Sequence, residues 1–205
     1  MGRPSKSLGR DTRQEILDAS LDLFALHGYS GTSMRQIALA VGVRESALYH
    51  YFAAKEAIFE ALTQTYGPSR AEMLTQVDFD AGLKRGLGPF LRKLAHTMME
   101  TWAIPREQKF MRMIMAEGHR MQPMGFSPQA VIGRAHQLIG AFFEELMRRK
   151  VIRTLPPEVV AREFIGPMVI IRLSHLMVAG DAVDWKQLRR MVDAHVEFFV
   201  EAVKK

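Results

Sequence analysis

The 205-residue chain carries 28 Lys and Arg against 22 Asp and Glu, with 48% hydrophobic residues and no cysteine. That is too apolar for a disordered chain, and the missing cysteines exclude disulfide scaffolds, thiol catalysis and cysteine-ligated zinc. The positive excess lies in residues 63–205, with 21 basic side chains against 15 acidic ones, while residues 1–62 balance seven against seven. Bulk charge alone therefore does not mark the N-terminal part as nucleic-acid binding, and the placement of individual residues must decide.

The opening residues hold Arg3, Lys6 and Arg10 without an acid, and Gly2 and Pro4 disfavour a helix. They read either as an arm following a DNA groove or as a solvated terminus. Asp11 and Arg13 stand where a secretion signal would need its apolar core. Thr12 with Glu15 predicts a capping box, and Ile16, Ala19, Leu23 and Phe24 repeat on one helical face until His27-Gly28. Ser33 with Gln36 predicts a second capping box. Ile37, Ala38 and Val41 are the buried side of a short helix that Gly42 ends. A third short helix is predicted from Arg44 to Phe52. A fourth starts near Ala54, with Ile58, Phe59 and Leu62 inward, and ends or kinks at Gly67-Pro68.

Longer helices follow, spaced by Phe90, Leu91, Leu94, Met98 and Trp102, and after Pro105 by Phe110, Ile114 and Glu117. Val131 to Leu146 mark a long helix after Ser127-Pro128. Pro156-Pro157 opens another through His175, and Trp185, Leu188, Val192, His195 and Phe199 define the last. No period-two stretch appears, so the periodicity predicts an all-α fold of about nine helices. The predicted division is 1–65 and 66–205. The apolar stretch from Phe164 to Val178 is too short to span a membrane and is broken by Arg172 and His175. The reading is of a soluble, cytoplasmic protein with no membrane partner.

Two short helices joined by a glycine turn and packed on a longer one describe a helix-turn-helix. The third helix leaves Arg44, Glu45, Ala47, Tyr49, His50 and Tyr51 outward, a hydrogen-bonding face suited to phosphates and base edges. Thr32-Ser33-Met34-Arg35-Gln36-Ile37-Ala38, Gly42-Val43 and Leu48-Tyr49-His50-Tyr51-Phe52 before Lys55-Glu56 resemble the DNA-binding signature of TetR/AcrR-family regulators. The resemblance implies an all-helical homodimer, with a three-helix reader followed by a larger ligand-binding and dimerisation domain whose occupancy releases DNA. It implies phosphate contacts from Ser33, Arg35 and Lys55 and backbone or base contacts from Ser46, Tyr49, His50 and Tyr51; Arg3 and Lys6 join the DNA contacts if the opening residues are a groove-following arm, by analogy with other three-helix readers. Arg44 stands where the family usually has a small hydroxyl residue and Ala47 where it has threonine. Arg44 suits a guanine edge and Ala47 a thymine methyl, so the family's operator preferences do not transfer.

In the larger part, Met98, Trp102, Phe110, Met113, Phe142 and Met168 at helical spacing suit either a core or an adaptable apolar ligand site. Arg172 and His175 lie three apart, predicted on one helical face. They suit an anionic ligand head group or a salt bridge at a dimer seam. Glu117-Gly118-His119-Arg120 reads as a helix cap or as a ligand contact. The last two helices are apolar over two stripes, and the second stripe predicts a homodimer through a four-helix interface facing a pseudo-palindromic operator.

No phosphate-loop, dinucleotide, zinc-protease or nucleophile-elbow motif occurs, and no histidine lies four residues from another. The sequence therefore predicts a non-enzyme without catalytic residues, metal or cofactor. It is read as a ligand-responsive regulator, in the repressor mode, released by a small hydrophobic or amphipathic effector. The alternative is a DNA-binding regulator with no small ligand, controlled by abundance or a protein partner.

Overall fold

A computed structural model describes residues 11–66, 71, 74–118, 127–177 and 183–205. Among these residues there is no strand. The elements are α1 (Thr12–His27), α2 (Met34–Val41), α3 (Glu45–Leu48), α4 (Lys55–Thr65), α5 (Phe79–Leu83), α6 (Leu87–Trp102), α7 (Pro105–Glu117), α8 (Pro128–Arg148), α9 (Pro157–Ile171), a π-helical segment Arg172–Met177, and α10 (Trp185–Val203). The all-α expectation holds, and α5 is the short helix that periodicity did not resolve. No helix among the described residues is long and apolar enough to cross a membrane. The expected kink at Gly67-Pro68 lies outside the described residues, as do His119 and Arg120.

The chain forms two compact units, residues 1–65 with 109–126, and residues 66–108 with 127–205. In the first, α1 packs against α2 and α4 through Ile16, Leu17, Leu21, Phe24, Ile37 and Ile58, all essentially inaccessible to solvent. The Tyr29 ring lies 5.2 Å from Phe24 and 5.6 Å from Phe59, joining the end of α1 to α4. One cap differs from the prediction. The α1 N-cap is Asp11, whose carboxylate accepts from the Gln14 amide at 3.2 Å, one residue before the expected Thr12 box. A carboxylate there satisfies an orphan amide and meets the positive end of the helix dipole.

The α7 helix is shared: its first turn belongs to the second unit and its remainder, from Lys109, to the first. Within the first unit Lys109 pairs with Asp22 of α1. A β-carbon on Gly28, at φ +75°, would come within 3.3 Å of the Glu117 carboxylate. Glycine therefore serves both the left-handed turn and the close approach.

In the second unit α8 packs on α9, and α10 on both α6 and α9. A run of aromatic rings crosses it. Phe79 lies 5.2 Å from Phe142, Phe142 5.3 Å from Phe143, Phe143 5.2 Å from Phe164, and Phe164 5.0 Å from Phe199. Pro157 occupies the first position of α9, where its missing N–H is an orphan in any case. Asp184 caps α10 by accepting from the Gln187 amide at 2.9 Å.

Candidate functional site

The first candidate surface is built on the α2–α3 corner. The Ser33 hydroxyl accepts from the Gln36 amide at 3.2 Å while the Gln36 side chain accepts from the Ser33 amide at 2.7 Å, the reciprocal box read from the sequence. At the other end Gly42 takes φ +76°, ψ 29°. The Gly42 amide donates to Leu39 O at 3.1 Å and the Val43 amide to Ala38 O at 3.0 Å. That pairing satisfies the terminal carbonyls and turns the chain, and it needs a residue that accepts positive φ at little cost.

The regular third helix is shorter than the predicted span from Arg44 to Phe52. It ends at Leu48, and His50 and Tyr51 continue with tighter bonds to Ala47 O and Leu48 O at 3.3 and 3.0 Å. One fact of the sequence and one of the packing account for this. The run Tyr49-His50-Tyr51-Phe52 has weak helix propensity, and burial of Leu48 and Phe52 draws the segment onto the first unit's core. The outward face is as expected, with Tyr49 and Tyr51 48% and 47% exposed. Ser33, Arg35, Arg44, Ser46 and His50 are also exposed, and Ala47 is half-buried. Arg3 and Lys6 lie outside the described residues.

Lys55 departs from the expected phosphate role. Its ammonium points into the fold, donating to Tyr29 O at 2.7 Å and Thr32 O at 2.6 Å, and sits 4.3 Å from the Tyr29 ring centre. It holds the α1–α2 connection against the start of α4. Burial lowers its pKa, partly offset by the Glu56 carboxylate. Burial, with Glu56 second, raises that of the Tyr29 phenol. Lys55→Met is expected to cost the first unit about 1.5–3 kcal/mol, the worth of hydrogen bonds from a charged donor. Urea denaturation followed by circular dichroism measures the loss, while the fluorescence of Trp102 and Trp185, both in the second unit, stays unchanged.

The second candidate site lies in the second unit. Arg172 is 5% exposed, and its guanidinium carbon lies 4.9 Å from the Trp102 ring centre. Desolvation lowers its pKa to about 10, with Glu107 acting in the opposite direction. The group thus stays cationic at neutral pH. The Nε and Nη2 donors of Arg172 are buried without a hydrogen-bond partner. The one-face expectation for Arg172 and His175 is corrected, because both fall in the π-helical segment. Its wider i→i+5 turn no longer stacks residues three apart, so Arg172 is buried while His175 is half-buried.

Met98, Phe142 and Met168 lie in the core of the second unit, with Trp102 partly buried against it. Phe142 in particular touches the rings of Phe79, Phe90 and Phe143. Phe110 and Met113 are buried but belong to the first unit, while the other six residues of the expected set belong to the second. Glu107, fully buried beside Arg172, was missed by sequence reasoning. An acid in the first turn after Pro105 looks like an ordinary dipole-matched surface residue.

Family models match both parts of the chain. The family model "Bacterial regulatory proteins, tetR family" matches residues 16–62, and "AefR-like transcriptional repressor, C-terminal domain" matches 89–203. The chain is 31% identical over 142 residues to the "Probable acrEF/envCD operon repressor" of Escherichia coli strain K12, covering 64% of each chain. It is 34% identical over 95 residues, 46% of each chain, to the transcriptional repressor AcnR of Corynebacterium diphtheriae. It thus spans less than two thirds of the length of these curated relatives. The solved structure of the flavonoid-responsive regulator FrrA matches with a TM-score of 0.67 and 25% identity, over 94% of this chain and 97% of that one.

Proposed function

The chain belongs to the tetR family of bacterial regulatory proteins, DNA-binding transcription factors rather than enzymes, and on that premise we propose that it is a homodimeric repressor released from a pseudo-palindromic operator by a small hydrophobic or amphipathic effector. The observation that carries the DNA half is the exposed cluster Arg35, Arg44, Tyr49, His50 and Tyr51 on one doubly capped helix-turn-helix. Arg44 meets a base edge, the tyrosines and Ser33 the backbone, and Arg3 and Lys6 extend the contact. Residues 1–65 read DNA in this proposal and 66–205 bind effector and partner.

Support for the dimer comes from the outward faces of α9 and α10. Val159, Val169 and Ile170 are exposed on one, and Met191, Ala194, Phe198 and Ala202 follow helical spacing on the other. Such a stripe matches a second copy of itself around a two-fold axis. Support for the effector half comes from the buried cation on Trp102, and from the response to flavonoid in the name of a relative of similar fold. The packing of Phe142 against three rings favours the second reading, a regulator with no small ligand.

The test is fluorescence anisotropy on DNA flanking the protein's own gene, across salt concentrations, beside an Arg44→Ala, Tyr49→Ala variant. The variant is expected to bind at least 10-fold more weakly, since a guanine-reading arginine alone is worth about 1–3 kcal/mol. The parent's affinity falls with salt in proportion to its phosphate contacts. Equal binding by parent and variant, with no palindrome selected from random DNA, would refute the reader. Dose-dependent release by a small molecule distinguishes the ligand-responsive reading from its rival.

A further inference from the structure

An arginine removed from water is costly unless its donors are met, and buried polar side chains in folded proteins nearly always find partners. Arg172 breaks that rule at two atoms, Nε and Nη2. These are the two nitrogens whose N–H groups lie parallel along one edge of the planar guanidinium. That edge is the fork that takes both oxygens of a carboxylate at once. We propose that the Nε/Nη2 edge of Arg172 is the recognition point for a carboxylate-bearing small molecule, a proposal that rests on reading the second unit as effector-binding.

The surroundings select the ligand class. The guanidinium carbon lies 4.9 Å from the Trp102 ring centre, and the unmet Nε and Nη2 donors are left for a group that approaches in the guanidinium plane. Glu107 is fully buried and close enough to favour the charged form of Arg172. A single planar guanidinium edge offers two parallel donors, which match the two oxygens of one carboxylate. Met98 and Met168 are buried in the same core. Their unbranched side chains repack around an apolar ligand body more readily than branched ones. The occupant is therefore an amphipathic monocarboxylate, with its head on Arg172 and its body among methionines and aromatics.

Isothermal titration calorimetry on the full chain, without DNA, tests this with matched pairs: octanoate against octanamide, and 1-naphthoate against 1-naphthamide. At least one carboxylate is expected to bind about 10-fold tighter than its own amide, the scale of a lost charge-assisted fork. Arg172→Met brings each pair within about 2-fold, and Arg172→Lys, which keeps the charge but not the fork, retains part of the preference. Glu107→Gln removes the competing negative charge and raises carboxylate affinity several-fold, a gain that does not depend on the arginine variants folding.

Equal binding of carboxylate and amide by the parent, a preference that survives Arg172→Met, or no carboxylate binding by either parent or Glu107→Gln would each overturn the proposal. Anisotropy on operator DNA separates this result from the broader reading. Arg172-dependent binding of octanoate that leaves the DNA complex intact sinks effector release and leaves the carboxylate site standing. Release by neutral compounds without carboxylate preference does the opposite.

Discussion

Phe198→Glu is expected to convert the protein to a folded monomer and to lower operator affinity at least 100-fold. Phe198 is 76% exposed at the centre of the apolar stripe on α10, flanked by Met191, Ala194 and Ala202. A large aromatic left in water on a helix whose other face is already buried identifies the unsatisfied side of that helix. In a two-fold interface each substitution is counted twice. A central aromatic costs about 2 kcal/mol or more when truncated, so two copies lose about 4 kcal/mol, or roughly a thousandfold in dimer dissociation. Two glutamates facing each other in an apolar seam add repulsion and desolvation. DNA affinity falls because a monomer engages one half-site only. Light scattering with size-exclusion chromatography reads the oligomeric state and anisotropy the affinity, with unchanged circular dichroism confirming the fold. Lys186→Glu, a charge reversal elsewhere on α10, leaves both unchanged. A Phe198→Glu protein that remains a dimer would place the interface on another face.

Phe143→Ala is expected to lower the stability of the second unit by about 3–5 kcal/mol, the range for removing a buried phenyl ring and leaving a cavity. Phe143 is fully buried on α8, with ring centres of Phe142, Phe164 and Phe199 at 5.3, 5.2 and 5.3 Å. It joins α8, α9 and α10 at one point, so the void opens where three helices meet. A domain holds only about 5–15 kcal/mol in total, and in a protein of this size each lost kcal/mol lowers the melting temperature by about 2–4 °C. The expected drop is therefore of order 10 °C or more, by thermal denaturation followed through Trp fluorescence. Phe143→Leu keeps most of the volume and costs less than half as much. A small loss from Phe143→Ala would mean that the helices collapse into the space, and that the unit's stability centre lies elsewhere.

The helix-turn-helix was legible because its determinants are local. Ser33 and Gln36 are three residues apart, and the Gly42 turn closes over residues Ala38 to Val43. No distant partner is needed to satisfy those amides and carbonyls, so the residue types alone imply the geometry. The outward placement of Tyr49 and Tyr51 follows from the same short-range spacing once Leu48 is buried. The fate of Lys55 was not legible. Its carbonyl partners lie 26 and 23 residues away, and no pattern around Lys55 distinguishes an inward ammonium from one aimed at phosphate.

The same contrast runs through the second unit. The helix start at Pro156-Pro157 and the apolar character of α8, α9 and α10 are properties of contiguous residues, and the sequence by itself determined them through helical period and proline's place in a first turn. Which buried stripe meets which, and what each isolated polar group finds there, depends on packing between residues far apart in the chain. Only the tertiary structure decided that Arg172 lies against Trp102, 70 positions earlier, and beside Glu107, and that the π-helical turn separates Arg172 from His175. The physical reason is that hydrogen-bond and charge satisfaction of a buried group is set by every element packed around it, whereas caps, turns and amphipathic faces are set by neighbours within a few residues.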